Sequence, residues 1–128
     1  MKETGAKIFC IDPRYTETAA FTGAQWVPIR PGTDMAFFLA IAHVLISESL
    51  FDQKFIAEKT SGFDELRAHV QKYTPEWAAK ETEIPARDIR RLARELAAAG
   101  FTIGALETLY LPGWRLASFN YWGWARRA

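Results

Sequence analysis

A nearly unbroken apolar stretch from Met35 to Ile46 constrains the fold of this chain more than any other feature. A helix that is apolar on both faces is stable only when other elements cover most of its sides. The stretch also contains His43 and is too short to span a bilayer, so it predicts a helix buried inside a globular domain. At helical spacing, one face carries Met35, Phe38, Leu39, Ala42, Leu45 and Ile46, and the other carries Phe37, Ala40, Ile41 and Val44.

Two short apolar runs before this helix predict strands. Ala6–Ile11 (AKIFCI) is a short, mostly apolar run, which is typical of a buried parallel strand, and it ends at an Asp-Pro pair because proline cannot extend a ladder. Trp26–Ile29 predicts a second strand, and Thr16–Phe21 predicts a short helix in the crossover between them. With the helix Asp34–Ser47 packed on these strands, the pattern predicts an α/β fold with a short parallel sheet flanked by helices.

The second half of the chain is predicted to be rich in helices. Asp52 can cap a short helix through Glu58, and Gly62 separates it from another over residues 63–71. A Thr-Pro-Glu sequence at 74–76 and Pro85 each predict a further helix start. The last helix has apolar positions at helical spacing (Ile89, Leu92, Ala93, Leu96 and Ala97). Its charged residues are predicted to form a solvated face: Arg87, Arg90, Arg91, Arg94 and Glu95.

Composition narrows the classes of function. The 128 residues suit one domain, and a net charge of +1 gives no field that would favour nucleic acid or an anionic membrane. Cys10 is the single cysteine, which excludes a disulfide framework, and no CxxC or His/Cys cluster is present to hold zinc or an iron–sulfur cluster. Residues 1–7 lack the apolar stretch of a signal peptide. We therefore expect one globular domain whose own residues hold no metal.

Both ends of the sequence resemble positions inside a larger domain. Gly5 resembles the residue that closes a helix, although only four residues precede it, and a frayed tail before the first strand explains them equally well. The last stretch is crowded with aromatic residues: Trp114, Phe119, Tyr121, Trp122 and Trp124. Such rings normally belong to a core, and the less favoured alternative is a membrane-surface helix. We expect the chain to be part of a larger domain and, alone, to expose an apolar patch.

Two acidic residues stand where α/β proteins place ligands. Asp12 follows the carboxyl end of the first predicted strand, where an acid often holds ribose hydroxyls. Asp34 begins the buried helix behind a Gly-Thr pair, in which Thr33 is the candidate N-cap. At a helix start N–H groups can receive phosphate, and a carboxylate can accept the N–H groups of a guanine edge. Ordinary turn and capping roles explain either residue as well. No GxGxxG or GxxxxGK[ST] motif is present.

Two arginines flank the same turns. Arg14 and Arg30 could clamp a pyrophosphate, or they could pair with Glu17 or Asp34. No side chain is predicted to act as a catalytic acid, base or nucleophile. The remaining reactive residues are interpreted as structural: Cys10, His43 and His69.

At these turns the sequence resembles the oxidoreductases that carry bis-molybdopterin guanine dinucleotide. The motifs match in order along residues 3–99, and the rest of the chain matches in patches. They are KIFCIDPRYTETA at 7–19, WVPIRPGTD at 26–34, HVLI at 43–46, TSGFDEL at 60–66, YTPEWA at 73–78, and IPA at 84–86 leading to LARE at 92–95. PGWR at 112–115 resembles the branch of polysulfide and thiosulfate reductase catalytic subunits. Glu83 departs from the family pattern, in which glycine is usual before IPA.

The resemblance implies a single partial domain over 1–128 that is Rossmann-like and binds the guanosine end of a molybdopterin guanine dinucleotide. The site residues carried over are Asp12, Pro13 and Arg14 in the first turn, and Gly32, Thr33 and Asp34 in the second. The agreement with the strand-end argument favours Asp34 as the guanine acceptor.

For the full-length subunit, the resemblance implies a molybdenum-dependent oxidoreductase of anaerobic respiration with a 4Fe-4S cluster, whose ligands lie upstream of the region matched. It also implies an iron–sulfur electron-transfer subunit, a membrane anchor subunit and a location on the periplasmic side of the bacterial inner membrane. The isolated 128 residues are expected to be inactive. The alternative hypothesis is a non-catalytic α/β module that binds a free nucleotide or a protein partner.

Overall fold

The computed structural model describes residues 7–99, which form a helix-rich α/β unit. The elements in chain order are β1 (Phe9–Ile11), α1 (Glu17–Thr22), β2 (Gln25–Val27), α2 (Asp34–Ser47), α3 (Gln53–Lys59), α4 (Phe63–Val70), α5 (Pro75–Thr82) and α6 (Ala86–Ala98). This order confirms the predicted fold class. The predicted helix end at Gly5 and the aromatic tail lie outside the described residues.

The strands β1 and β2 form a two-stranded parallel sheet, with α1 in the crossover between them. Cys10 is in register with Trp26, and Ile11 with Val27. Because side chains alternate along a strand, one face of the sheet is directed at the core, where Val27 is buried and Phe9 and Ile11 are partly buried. Both strands are shorter than predicted, and β2 ends before Pro28, which lacks the N–H that a ladder requires.

Helix α2 lies at the centre of the unit and contacts α4, α5 and α6. Its bounds match the predicted helix, and six of its residues are buried (Phe37, Ala40, Ile41, Val44, Leu45 and Ile46). Burial does not follow the two predicted faces, because Leu45 and Ile46 are buried whereas Phe38, predicted on the same face, is 53% exposed. The sequence could not distinguish the two faces because both are apolar, so the choice is made by the helices that pack against α2.

The helices in the second half of the unit begin at the capping residues that the sequence indicated. Asp52 and Thr74 cap α3 and α5, since their side-chain oxygens accept the N–H groups of Phe55 and Trp77. Ile84 and Ile89 are almost completely buried and join α5 and α6 to the core. These starts confirm the predictions made from the capping residues.

The charged face of α6 differs from the solvated face that was predicted. Arg94 donates to both carboxylate oxygens of Glu48, at 2.9 and 2.8 Å, and Arg90 pairs with Glu76 on α5. Lys7 lies 3.5 Å from Glu95. The side chains are accessible to water, yet they contact acids on neighbouring elements because α6 packs beside the end of α2 and beside α5.

Residues 7–99 contain neither a membrane-spanning helix nor a cluster of metal-ligating side chains. Among residues 7–99 no helix combines the length and apolar character needed to cross a membrane. The same residues bring together no group of three or more His, Cys, Asp or Glu side chains that could hold a metal ion.

Candidate functional site

The turns after β1 and β2 lie at the same edge of the sheet, because the two strands are parallel and in register. Backbone and ring groups join them. The N–H of Asp12 lies 3.3 Å from the carbonyl of Val27, and the indole N–H of Trp26 donates to the carbonyl of Asp12 at 2.8 Å. The two turns predicted from the sequence therefore lie next to each other, where the parallel strands end.

The first turn is organised by the side chain of Asp12. Its Oδ1 accepts the backbone N–H of Arg14 at 2.8 Å, which closes an Asx turn around the exposed Pro13. The second carboxylate oxygen makes no hydrogen bond within residues 7–99. The Arg14 side chain forms no ion pair within the same residues, so of the two alternatives the pairing with Glu17 is not observed there. The turn thus leaves one carboxylate oxygen and one guanidinium accessible to a ligand.

The second turn runs from Arg30 to Asp34. The carbonyl of Arg30 accepts both the backbone N–H of Thr33, at 3.3 Å, and its hydroxyl, at 2.7 Å. Gly32 has φ +77°, which is the left-handed region that favours glycine, and a Cβ built there would meet nothing within 4 Å. The backbone at Gly32 is therefore open to a ligand.

Thr33 stands at the predicted N-cap position of α2, but its side chain does not cap the helix. The hydroxyl donates to the preceding Arg30 carbonyl instead of accepting an N–H of the first turn. The sequence predicted the position correctly and the bond incorrectly, because the Pro-Gly turn directs the hydroxyl backward.

Asp34 is the first residue of α2 and is exposed. Its carboxylate has no hydrogen-bond donor or ion-pair partner among residues 7–99. The positive end of the helix dipole favours the charged carboxylate at this place. Asp34 therefore presents two unoccupied acceptor oxygens at the start of a helix that is held firmly in the core.

Arg30 does not pair with Asp34, so that alternative is wrong. Its Nε and Nη2 donate to Oε1 of Glu83 at 3.2 and 3.0 Å. Glu83 follows α5 and has φ +66°, the left-handed conformation in which glycine is favoured. This partner was missed by the sequence reasoning, although a glutamate in the place of a helix-closing glycine was a signal that the side chain has a use.

The residues interpreted as structural have local partners. Cys10 Sγ lies 3.9 Å from the hydroxyl of Thr16, and His43 Nδ1 lies 2.9 Å from the carbonyl oxygen of Val70. His69 is exposed, and its ring lies against that of Tyr73. None of these side chains is placed beside either turn by a hydrogen bond or ring contact within residues 7–99.

Two grooves lie away from the turns. One of about 720 Å³ lies between α3 and the start of α4, and one of about 360 Å³ lies at the amino end of the strands, beside Lys7 and Arg91. Neither is lined by Asp12 or Asp34. The two grooves and the two strand-end turns are therefore different candidate sites. We favour the turns because they present unpaired polar groups that can recognise a ligand.

Comparisons with known proteins agree on one family. The family model described as molybdopterin oxidoreductase matches residues 1–123. The molybdopterin-containing subunit PhsA of thiosulfate reductase from Salmonella typhimurium is 45% identical over 119 residues, which is 93% of this chain and 15% of that protein. The dimethyl sulfoxide/trimethylamine N-oxide reductase of Cereibacter sphaeroides is 38% identical over 127 residues, which is 94% of this chain and 15% of that protein.

A solved structure gives the same result for the fold. Acetylene hydratase from Pelobacter acetylenicus superposes with a TM-score of 0.67 at 39% identity, covering 72% of this chain and 12% of that one. The chain thus spans about 15% of the length of the relatives it matches.

Proposed function

This chain belongs to the molybdopterin oxidoreductase family, and we propose that its two strand-end turns bind the guanosine end of a molybdopterin guanine dinucleotide. Family membership supports a molybdenum–pterin cofactor. The observation that carries the guanosine assignment is the exposed Asp34 carboxylate, which starts a buried helix and has no partner among residues 7–99.

Asp34 would recognise the base. A guanine edge presents two N–H groups side by side, and a carboxylate with both oxygens unoccupied can accept them together. A Cβ at the left-handed Gly32 would meet nothing within 4 Å, and the hydroxyl of Thr33 is already engaged by the Arg30 carbonyl. The geometry of the second turn thus fits the guanine base.

Asp12 and Arg14 would hold the sugar and the phosphates. The Asx turn orients the Asp12 carboxylate with one oxygen engaged and one available, which suits a ribose hydroxyl. Arg14, which has no ion pair within residues 7–99, suits the pyrophosphate. Pro13 restricts the backbone between them, so the two side chains leave the turn with a defined separation.

In this arrangement the chain binds and orients the nucleotide end of the cofactor. The molybdenum at the pterin end would supply the redox chemistry. The turns hold the nucleotide end and determine where the remainder of the cofactor is directed. No residue from 7 to 99 is assigned to proton transfer.

For the longer protein, we propose the catalytic subunit of a molybdenum-dependent reductase that acts on a sulfur compound or a similar respiratory substrate. The names of the thiosulfate and dimethyl sulfoxide reductases support this class. The similarity to a hydratase means that the matched part alone does not determine the reaction. A 4Fe-4S cluster, an iron–sulfur electron-transfer subunit, a membrane anchor subunit and the periplasmic side of the inner membrane complete the proposal by family resemblance.

The guanosine assignment can be tested by titrating the 128-residue chain with GDP and with ADP while backbone amides are followed by NMR. A bidentate base contact discriminates by about 1–3 kcal/mol, so GDP should bind about fivefold or more tightly than ADP. Asp34→Asn should remove this preference. Asp64→Asn is the matched control, because Asp64 is also an exposed acid in a first helical turn.

The outcomes separate the alternatives. Equal binding of both nucleotides would favour the non-catalytic nucleotide-binding module. Absence of binding by either nucleotide would contradict the guanosine assignment and favour a module that binds a protein partner. A GDP preference that survives Asp34→Asn would contradict the role given to Asp34.

A further inference from the structure

Glu83 occupies a backbone conformation that its own side chain disfavours. It has φ +66°, where the Cβ of any L-residue is crowded and glycine is not. Its side chain is 67% exposed, so burial in the core does not hold it there. A glutamate at such a position needs another reason to be present, and the contacts of its carboxylate provide one.

The carboxylate of Glu83 holds the residue that begins the second turn. Arg30 donates to it from Nε and Nη2, at 3.2 and 3.0 Å, and the backbone N–H of Arg30 donates to the carbonyl of Thr82 at 3.0 Å. Arg30 is therefore attached through both its main chain and its side chain to two consecutive residues at the end of α5. This double attachment joins parts of the chain that are 53 residues apart.

The attachment point is itself rigid. Thr82 is fully buried, and its hydroxyl donates to the carbonyl of Ala78 at 2.8 Å and accepts the N–H of Ile84 at 3.1 Å. Ile84 is 2% exposed and belongs to the core. Because buried polar groups with their hydrogen bonds satisfied hold a unique arrangement, the end of α5 offers a fixed reference point for the turn.

From Arg30 the connection continues to the proposed ligand group. The carbonyl of Arg30 accepts the N–H and the hydroxyl of Thr33, and Thr33 precedes Asp34. A displacement of Arg30 would therefore be transmitted to the residue that presents the carboxylate to the base. One continuous series of hydrogen bonds leads from the core through Arg30 to this turn.

We propose that Glu83 is a positioning residue of the nucleotide site, which holds Arg30 against α5 and so fixes the turn that presents Asp34. The proposal rests on the function proposed above for Asp34. It also gives the two arginines different roles: Arg30 is engaged by Glu83, whereas Arg14 is left to meet phosphate. The left-handed conformation of Glu83 is the cost of placing a carboxylate beside Arg30.

The test compares Glu83→Gln, Glu83→Gly and Glu81→Gln in the 128-residue chain. Glu81 is the matched control, because it is an exposed glutamate on α5 that forms no ion pair within residues 7–99. Both substitutions of Glu83 should weaken GDP binding about threefold to fivefold, the upper part of the range for an exposed ion pair, and Glu81→Gln should not. Glu83→Gly should do so without lowering the thermal midpoint, which separates positioning from stability.

Two further readouts identify the ion pair as the cause. The difference in GDP affinity between the wild-type chain and Glu83→Gln should shrink at high salt, because exposed charges are screened. Arg30→Gln should weaken binding to the same extent, and the double variant should show no additional loss. A loss that persists undiminished at high salt, or that adds fully in the double variant, would overturn the proposal.

Amide exchange of Arg30 and Thr33, whose N–H groups donate to the carbonyls of Thr82 and Arg30, makes this test independent of the proposed function. If Glu83→Gln leaves both GDP affinity and the exchange of these amides unchanged, Glu83 has no positioning role. If the wild-type chain binds no GDP, the guanosine assignment fails, but the exchange rates still decide whether Glu83 positions the turn. Faster exchange in Glu83→Gln than in Glu81→Gln supports the positioning role, and equal exchange overturns it.

Discussion

The Nδ1 atom of His43 lies 2.9 Å from the carbonyl oxygen of Val70, and this contact joins the central helix α2 to the last turn of α4. A carbonyl oxygen only accepts, so Nδ1 is the donor in this hydrogen bond. The contact accounts for a histidine inside an otherwise apolar helix, and it agrees with the structural role predicted for His43.

His43→Ala should lower the free energy of unfolding by about 1–3 kcal/mol, because the Val70 carbonyl loses its donor in a partly buried place. Chemical denaturation followed by circular dichroism measures this change. His69→Ala is the control, since that ring is exposed, and it should change stability by less than about 0.5 kcal/mol. Equal effects of the two substitutions would show that the contact with Val70 contributes nothing.

Ser49 and Glu83 are the two non-glycine residues with positive φ, at 55° and 66°, in the part of the chain that the structure describes. Glycine relieves the crowding at such positions, and this gain exceeds the cost of the greater freedom that glycine gives the unfolded chain. Ser49→Gly should therefore raise the free energy of unfolding by about 0.5–1 kcal/mol. Glu83→Gly should stabilise less, because it also loses an exposed ion pair worth at most about 1 kcal/mol. Thermal unfolding of both variants gives the comparison, and a larger gain for Glu83→Gly would contradict the ion pair's contribution.

The pair of Glu48 and Arg94 predicts a pH dependence of stability. The hydrogen bond from Arg94 holds the pKa of the Glu48 carboxyl below its ordinary value of 4.5. A lowered carboxyl pKa contributes stability that is complete above the ordinary value and is lost as the pH falls through the lowered one. The contribution is small because both side chains are accessible to water.

Glu48→Gln should therefore lower the thermal midpoint near neutral pH and have little effect at a pH below the lowered pKa, where the native carboxyl is protonated. Glu58→Gln is the control, since Glu58 is exposed and forms no ion pair within residues 7–99. A difference between Glu48→Gln and wild type that stays constant across this range would contradict the role of the ion pair.

Local signals predicted the helices well and the partners of the charged residues poorly. Thr74 with Pro75, and the apolar stretch of α2, act through neighbours in sequence, so their consequences could be predicted from the sequence. The pairs of Arg94 with Glu48 and of Arg30 with Glu83 join positions 46 and 53 residues apart, and they exist only once α2, α5 and α6 have packed.

For the candidate site, the sequence predicted the positions of the two turns but not the hydrogen bonds within them. Strand-end and helix-start logic selected the turns that hold Asp12 and Asp34, and the structure brings both turns to one edge of the sheet. Whether the two carboxylates face a single bound nucleotide stays a prediction. The hydroxyl of Thr33 and the engagement of Arg30 by Glu83 required the folded chain, because they depend on backbone direction rather than on residue type.

The two-stranded sheet has a consequence for how this chain behaves at high concentration. Within residues 7–99, β1 and β2 each have one neighbour, so each also has an edge where backbone N–H and C=O groups meet no other strand. Such edges accept a further strand from any chain of suitable register, including another copy, and Trp26 lies exposed on the same short strand β2. Main-chain pairing at these edges would therefore join copies of this unit, and a charged or proline residue at an edge would suppress it.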